Sequence, residues 1–229
     1  MENKQQPAVV TGRKRLHYVY LTLFAVSMAY LESAVVVYLR ALYYPQGFSF
    51  PMVMIEQQMV LVEIGRELST LVMIAVVAHF AGKIFYERFA VFCILFGIWD
   101  IFYYIWLKIL LDWPDSLFTL DVLFLIPLPW IGPVLSPVIV AVSLVIGGGL
   151  ILNRIGYGGR FAPNLREWVI ASGGAALVLL SYTCDLDATL DFAMPKPYRW
   201  ELLIVGVAAG FYALVRSLMR TRQKDGSDE

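Results

Sequence analysis

The sequence predicts an all-α integral membrane protein, built as a six-transmembrane helix bundle. Its 229 residues are 59% hydrophobic and 14% aromatic, with a mean hydropathy of +0.69, whereas soluble domains are usually about 45 to 50% apolar. We therefore expect a single transmembrane domain at 18–219 between cytoplasmic tails at 1–17 and 220–229. The apolar stretches that are long enough to cross a bilayer lie at 18–40, 58–80, 89–111, 134–152, 168–184 and 200–219.

The distribution of basic residues predicts the orientation of these spans. If the amino terminus is cytoplasmic, six spans place both termini inside, and positively charged residues are expected on that side. The lysines and arginines in or beside the resulting inner segments are Lys4, Arg13, Lys14, Arg15, Lys83, Arg88, Arg154, Arg160, Arg166, Arg216, Arg220, Arg222 and Lys224. The outer segments instead carry Asp112, Asp115, Asp185, Asp187 and Asp191. We therefore expect a multi-pass inner-membrane protein with both ends in the cytoplasm.

A proline-rich segment precedes the fourth span. Pro127, Pro129, Pro133 and Pro137 lack an amide donor and obstruct a regular helix. Irregular backbone at membrane depth is tolerated only where it is buried in protein or faces water. We therefore expect a short outer half-helix near 117–126, a broken passage, and a fourth span from about residue 134. The alternative is a single kinked helix whose freed backbone groups are satisfied by its neighbours.

Charged residues inside the spans are the most function-like feature of the sequence. Glu63, Arg66 and Glu67 interrupt the second span, and each such charge costs about 2.5 to 3.5 kcal/mol at the centre of a membrane helix. Glu63 and Glu67 are four residues apart and share one helix face. Glu32 on the first span and Asp100 on the third fall in the outer half of the membrane or near its middle. We expect the polar faces of these three helices to meet.

This meeting point would hold an excess of negative charge. The four carboxylates face at most three cations, Arg66 and, nearer the outer boundary, Arg40 and Lys108. At least one carboxylate should then be protonated, hydrated, or matched by a bound cation or basic ligand group. The candidate catalytic residues are Glu32, Glu63, Glu67 and Asp100, and the candidate ligand-binding residues are Arg66, Tyr104, Arg40 and Asp121. The alternative is a purely structural network, because buried ion pairs can hold helices in register.

Other chemistries find little support in the sequence. The two histidines, His17 and His79, fall near the inner face, and no Glu-x-x-His pair of a di-iron bundle occurs. No G-x-S-x-G motif of a serine hydrolase is present. We therefore predict no metal site and assign no cofactor. The net charge of zero gives no indication of nucleic acid, and membrane lipid is the expected partner.

Three functional classes follow from these observations. The favoured one binds or modifies a lipid headgroup, small ligand or cation from the outer side, and its enzymatic form would use a carboxyl group as general acid. An accessory or structural subunit of a larger membrane complex is the first alternative, because Gly206 and Gly210 suit close helix contact within the chain or between chains. A proton- or cation-coupled transporter is the second. The almost entirely apolar inner halves of the first two spans disfavour it.

Overall fold

The computed structural model describes residues 7–126, 128–184 and 193–225, and the side chains of 16–126, 128–184 and 193–222. The regular secondary structure of this part of the chain is helical, apart from one two-stranded hairpin. The helices are α1 (Pro7–Tyr43), α2 (Gln57–Ala81), α3 (Phe85–Leu111), α4 (Leu135–Gly156), α5 (Leu165–Thr183) and α6 (Trp200–Asp225), and the strands are β1 (Leu120–Phe124) and β2 (Trp130–Pro133). α1 and α6 extend into the segments predicted as tails.

Four helices in the described part of the chain, α1, α3, α4 and α6, are long and apolar enough to cross a membrane. α4 has the highest mean hydropathy of these, 2.4. α2 differs because its 25 residues include Glu63, Arg66 and Glu67. α5 is only 19 residues long and opens with Arg166 and Glu167. The four apolar helices indicate a membrane protein.

α3 is the central helix of the bundle. It packs along α4 and contacts both α1 and α2, whereas α5 and α6 form a second pair that meets the rest through α4 and β2. Small residues allow the backbones of α5 and α6 to touch, since a Cβ atom on Gly174 would lie 2.5 Å from the carbonyl oxygen of Gly206. The main apolar core consists of Ala25, Met28, Ala29, Ile74, Ala78, Val91, Leu95, Trp99 and Phe124.

The backbones of α3 and α4 also approach closely at two glycines. A Cβ atom on Gly97 would lie 2.5 Å from the carbonyl oxygen of Ala141, and one on Gly148 would lie 2.6 Å from the carbonyl oxygen of Ala90. Neither obstacle is a flexible side chain, so a larger residue at either position would push the helices apart. This close contact fixes where α3 presents its polar residues.

Two adjacent glycines of α4 test this packing. Gly148→Ala is expected to lower the free energy of unfolding by about 1 to 3 kcal/mol, because the added methyl group overpacks the contact with α3. Gly149→Ala is the matched control, because nothing lies within 4 Å of a Cβ atom built there. The measurement is the thermal unfolding midpoint of each purified variant in the same detergent. Equal midpoints for the two variants would contradict the close contact.

The predicted half-helix at 117–126 is wrong. This stretch contains β1, which pairs antiparallel with β2. Leu120 lies opposite Pro133, and Phe124 lies opposite Trp130. A hairpin accommodates prolines better than a helix, because in an edge strand the amides that point away from the partner need no ladder bond. The predicted break and the start of the fourth helix near residue 134 are confirmed, since α4 begins at Leu135.

The hairpin satisfies its backbone within the protein. The N–H of Val134 donates to the carbonyl of Thr119 at 3.0 Å, and the N–H of Leu135 donates to the carbonyl of Leu117 at 2.7 Å. Both bonds continue the pairing beyond the strands and satisfy these backbone groups within the protein. Pro127 lies outside the described residues, as do the predicted outer residues Asp185, Asp187 and Asp191.

Candidate functional site

A cavity of about 350 Å³ lies between α1, α2, α3 and the hairpin. Aliphatic and aromatic side chains make up most of its wall. The charged residues that line it are Glu32, Arg40, Glu63, Arg66, Glu67, Asp100 and Asp121. These are seven of the eight residues that the sequence selected, and the eighth, Tyr104, donates a hydrogen bond to Asp121 at 3.3 Å. The structure therefore brings the predicted site residues together, and we call this space the acidic cavity.

Arg66 on α2 links the first two helices. Its Nε and Nη2 atoms bind Oε2 of Glu63, one turn earlier, at 3.0 and 2.9 Å. Its Nη1 atom pairs with Glu32 of α1, which also accepts a hydrogen bond from the hydroxyl of Thr70. One guanidinium thus serves two buried carboxylates from two helices. This triad matches the structural reading of these charges, because it holds α1 and α2 in register.

Glu67, one turn from Glu63, instead binds the hairpin. Its two carboxylate oxygens accept the backbone N–H of Leu125 at 3.1 and 2.9 Å. Leu125 directly follows β1, so the carboxylate takes the place of a neighbouring strand for this amide. The side chain of Glu67 is buried. Its position on α2 therefore determines where the hairpin covers the acidic cavity.

Arg40 and Asp121 form the most deeply buried ion pair that lines the acidic cavity. Nη2 of Arg40 lies 3.2 Å from Oδ1 of Asp121, and the two side chains are 9% and 3% exposed. The guanidinium also contacts two nearly perpendicular rings, with its central carbon 3.7 Å from the centroid of Trp113 and 4.5 Å from that of Phe48. The pair joins the end of α1 to the hairpin and holds the guanidinium in one orientation.

Asp100 on α3 has no such partner. Within the described residues, no hydrogen bond or ion pair reaches its carboxylate. It lines the acidic cavity, and the charge with which it interacts electrostatically is the like-charged Asp121. Asp100 is therefore a carboxylate held against an internal space without a compensating group from the described chain.

Two residues that line the acidic cavity also carry a buried donor without a partner. Nη1 of Arg40 and Nε1 of Trp99 have no hydrogen-bond partner among the described residues. Arg40 is 8% exposed and Trp99 is 6% exposed. Tyr103, on the same helix as Trp99, also lines the cavity. The cavity thus combines an unmatched acceptor with two unmatched donors.

The charge excess is larger than the sequence predicted. Five carboxylates and two guanidiniums line the acidic cavity. Lys108, counted as a possible third cation, lies elsewhere: its Nζ binds the carboxylate of Asp112 at 2.7 Å and the carbonyl oxygen of Pro114 at 3.2 Å. Lys108 therefore stabilises the chain just after α3 and contributes no charge to the site.

Glu167 is a buried acid with a structural role, and its contacts provide a comparison for Asp100. It closes the capping box of α5 with Asn164 and accepts bonds from Nε and Nη2 of Arg220 at 3.0 and 2.9 Å. The hydrogen bonds from Arg220 hold the pKa of the Glu167 carboxyl below its ordinary value. Glu167 is thus fully partnered, in contrast to Asp100.

No three His, Cys, Asp or Glu side chains in the described parts of the chain are arranged to hold a metal ion. The acids of the cavity are divided among separate partners: Glu32 and Glu63 bind Arg66, Glu67 binds the hairpin, and Asp121 binds Arg40. The arrangement is therefore better suited to an organic group, which can contact each polar residue separately, than to a compact ion.

The sequence reasoning missed Trp99, Tyr103 and the backbone of the hairpin. It followed one stripe of α3 through Asp100 and Tyr104, whereas the cavity is lined by the neighbouring face that also includes Trp99 and Tyr103. These two aromatic residues are four positions apart and flank Asp100. That spacing was the available signal.

Comparison of the chain with protein-family models, with curated proteins and with solved structures finds no match in any of the three.

Proposed function

We propose that this protein is a six-span inner-membrane protein, with both termini in the cytoplasm, whose acidic cavity opens to the outer side and binds the polar head of an amphiphile. The amphiphile would be a lipid or a small amphipathic ligand. The observation that carries the proposal is Asp100, a carboxylate that lines a cavity with mostly apolar walls and has no partner in the described part of the chain. Intramembrane ionisable groups without a structural partner are functional by default.

The ion pairs of the cavity support this reading. The Arg66 triad and the Arg40 pair satisfy three of the five carboxylates of the cavity, Glu32, Glu63 and Asp121, and a fourth, Glu67, accepts the backbone N–H of Leu125 in the hairpin. Asp100 adds no contact to any of these, so a scaffold would be more stable without it. A ligand group that pairs with the carboxylate of Asp100 would explain the presence of an acidic residue at this position.

The apolar core beneath the cavity favours binding or modification over transport. Ala25, Ala29, Ile74 and Leu95 pack against one another there, and each is completely buried. A carrier needs access to its site from both sides of the membrane, which this apolar cluster does not favour. An enzyme that modifies the bound head, with a carboxyl group as general acid, would share the binding step.

Replacing Asp100 tests the proposal. Asp100→Asn is expected to keep or raise the thermal unfolding midpoint of the ligand-free protein, because it removes an uncompensated charge from the cavity wall. The same variant should retain much less of the amphiphile that native mass spectrometry finds on gently extracted wild-type protein. Glu167→Gln is the matched control: it should lower the midpoint, because it breaks a buried, charge-assisted bond to Arg220, and should keep the amphiphile.

Two results would overturn this function. One is an Asp100→Asn protein that loses as much thermal stability as Glu167→Gln, since Asp100 would then be a structural residue. The other is wild-type protein that retains no amphiphile even after incubation with total membrane lipid extract.

A further inference from the structure

We infer that the ligand of the acidic cavity carries an ammonium group beside an oxygen acceptor on an apolar body, as an aminophospholipid headgroup does. This inference rests on the proposed function and deepens it by naming the chemical class of the ligand. It follows from the one acceptor and two donors that the chain leaves unmatched, and from the apolar surface around them.

The unmatched acceptor indicates a cationic group. Asp100 has no partner among the described residues, and the carboxylates that line the cavity outnumber its guanidiniums by five to two. The rings of Trp99 and Tyr103 flank Asp100 in sequence, with their centroids 6.4 Å apart. Aromatic faces beside a carboxylate are a favourable environment for an organic ammonium group.

The unmatched donors indicate an oxygen acceptor on the same ligand. A buried donor without a partner costs about 1 to 3 kcal/mol, and both Nη1 of Arg40 and Nε1 of Trp99 are in this state. Asp121 and two aromatic rings fix the guanidinium of Arg40, so Nη1 has a fixed direction. A proton or a simple cation would leave these donors unmatched, and an anion alone would be repelled by the charge excess.

The wall of the cavity indicates an apolar body. α1 and α2 both pack on α3 much more than on each other, and the half-buried side chains of Val36, Leu39, Met59 and Val60 line the cavity from these two helices. In a bilayer this side of the cavity would meet lipid chains. A membrane lipid could therefore place its head against Asp100 while its chains stay in the bilayer.

The experiment compares two lipids with identical acyl chains. Full-length, delipidated protein is incubated with an equimolar mixture of phosphatidylethanolamine, which carries an ammonium group, and phosphatidylglycerol, which does not, and native mass spectrometry measures the bound ratio. We expect wild-type protein to prefer phosphatidylethanolamine by on the order of tenfold, the effect of one favourable charge pair. Asp100→Asn should bring the ratio close to one. Trp99→Phe should weaken the binding of both lipids without changing the ratio, and Glu201→Gln, an exposed acid, should change nothing.

The outcomes separate this inference from the proposed function. Equal binding of the two lipids to wild-type protein would overturn the ammonium assignment and leave amphiphile binding intact. Binding of neither lipid, nor of any component of a total lipid extract, would overturn both. A third arm adds soluble phosphoethanolamine as competitor. If it displaces the lipid at equal concentration, the lipid assignment is wrong, and if it does not, the apolar body is part of recognition.

Discussion

Replacing Arg66 with glutamine is expected to destabilise the protein more than any other single change at the acidic cavity. The guanidinium serves Glu32 and Glu63 together, and both of these carboxylates are buried. Removing one partner of a buried ion pair costs about 3 to 5 kcal/mol, because the remaining charge stays buried without compensation. Here two charges would be left, so the loss should lie at the upper end of that range.

The measurement is the thermal unfolding midpoint, which shifts by about 2 to 4 °C per kcal/mol in proteins of this size. Glu32→Gln combined with Arg66→Gln should recover part of the loss, because fewer unpaired charges remain. Arg199→Gln breaks an ion pair whose side chains are both 64% exposed and should have no measurable effect. If Arg66→Gln behaved like Arg199→Gln, the triad would not hold α1 and α2 together.

Arg40→Gln is expected to have the second largest effect, of about 3 kcal/mol. Among the described residues, Asp121 would keep only the hydroxyl of Tyr104 as a side-chain donor, and the contacts of the guanidinium with the rings of Trp113 and Phe48 would be lost. Arg40→Lys should recover little of the loss, because a compact ammonium group cannot bind Asp121 and contact both rings as the larger planar guanidinium does. The double variant Arg40→Gln with Asp121→Asn should be more stable than Arg40→Gln alone.

The location of the damage distinguishes this prediction from the first. Arg40 joins α1 to the hairpin, whereas Arg66 joins α1 to α2. Hydrogen exchange should therefore show faster exchange at residues 120–126 in Arg40→Gln than in Arg66→Gln. The reverse order would mean that Glu67, and not Arg40, is the main anchor of the hairpin.

The helical part of the fold could be predicted because apolar stretches of membrane length leave few alternatives. The structure of the segment at 117–126 could not be predicted. Its prolines indicate where a helix is interrupted, but they do not indicate which structure replaces the helix. The prolines after Leu125 are compatible with a kinked helix, a half-helix or a strand. The choice of a hairpin depends on Glu67, which supplies an acceptor to Leu125 from another helix. Such a long-range contact is invisible to local sequence patterns.

The location of the candidate site was also predictable, since charges in apolar helices are expected to turn away from lipid and meet. The pairing within the site was not. The sequence counted Lys108 as a possible cation of the site, but this side chain binds the chain segment after its own helix. The lack of an ion pair at Asp100 could not be predicted either, because it depends on Arg40 pairing with Asp121 and on Arg66 pairing with Glu32.

The contact between Glu67 and Leu125 also has a consequence for how the chain is assembled. The two residues are 58 positions apart. Glu67 therefore leaves the ribosome well before Leu125 has been synthesised. If α2 crosses the bilayer as proposed, its three charges disfavour insertion of the helix by itself. α2 should therefore stay near the translocation channel after synthesis and enter the lipid together with α3 and the hairpin. Biogenesis of this protein would then proceed through a late joint insertion step and not helix by helix.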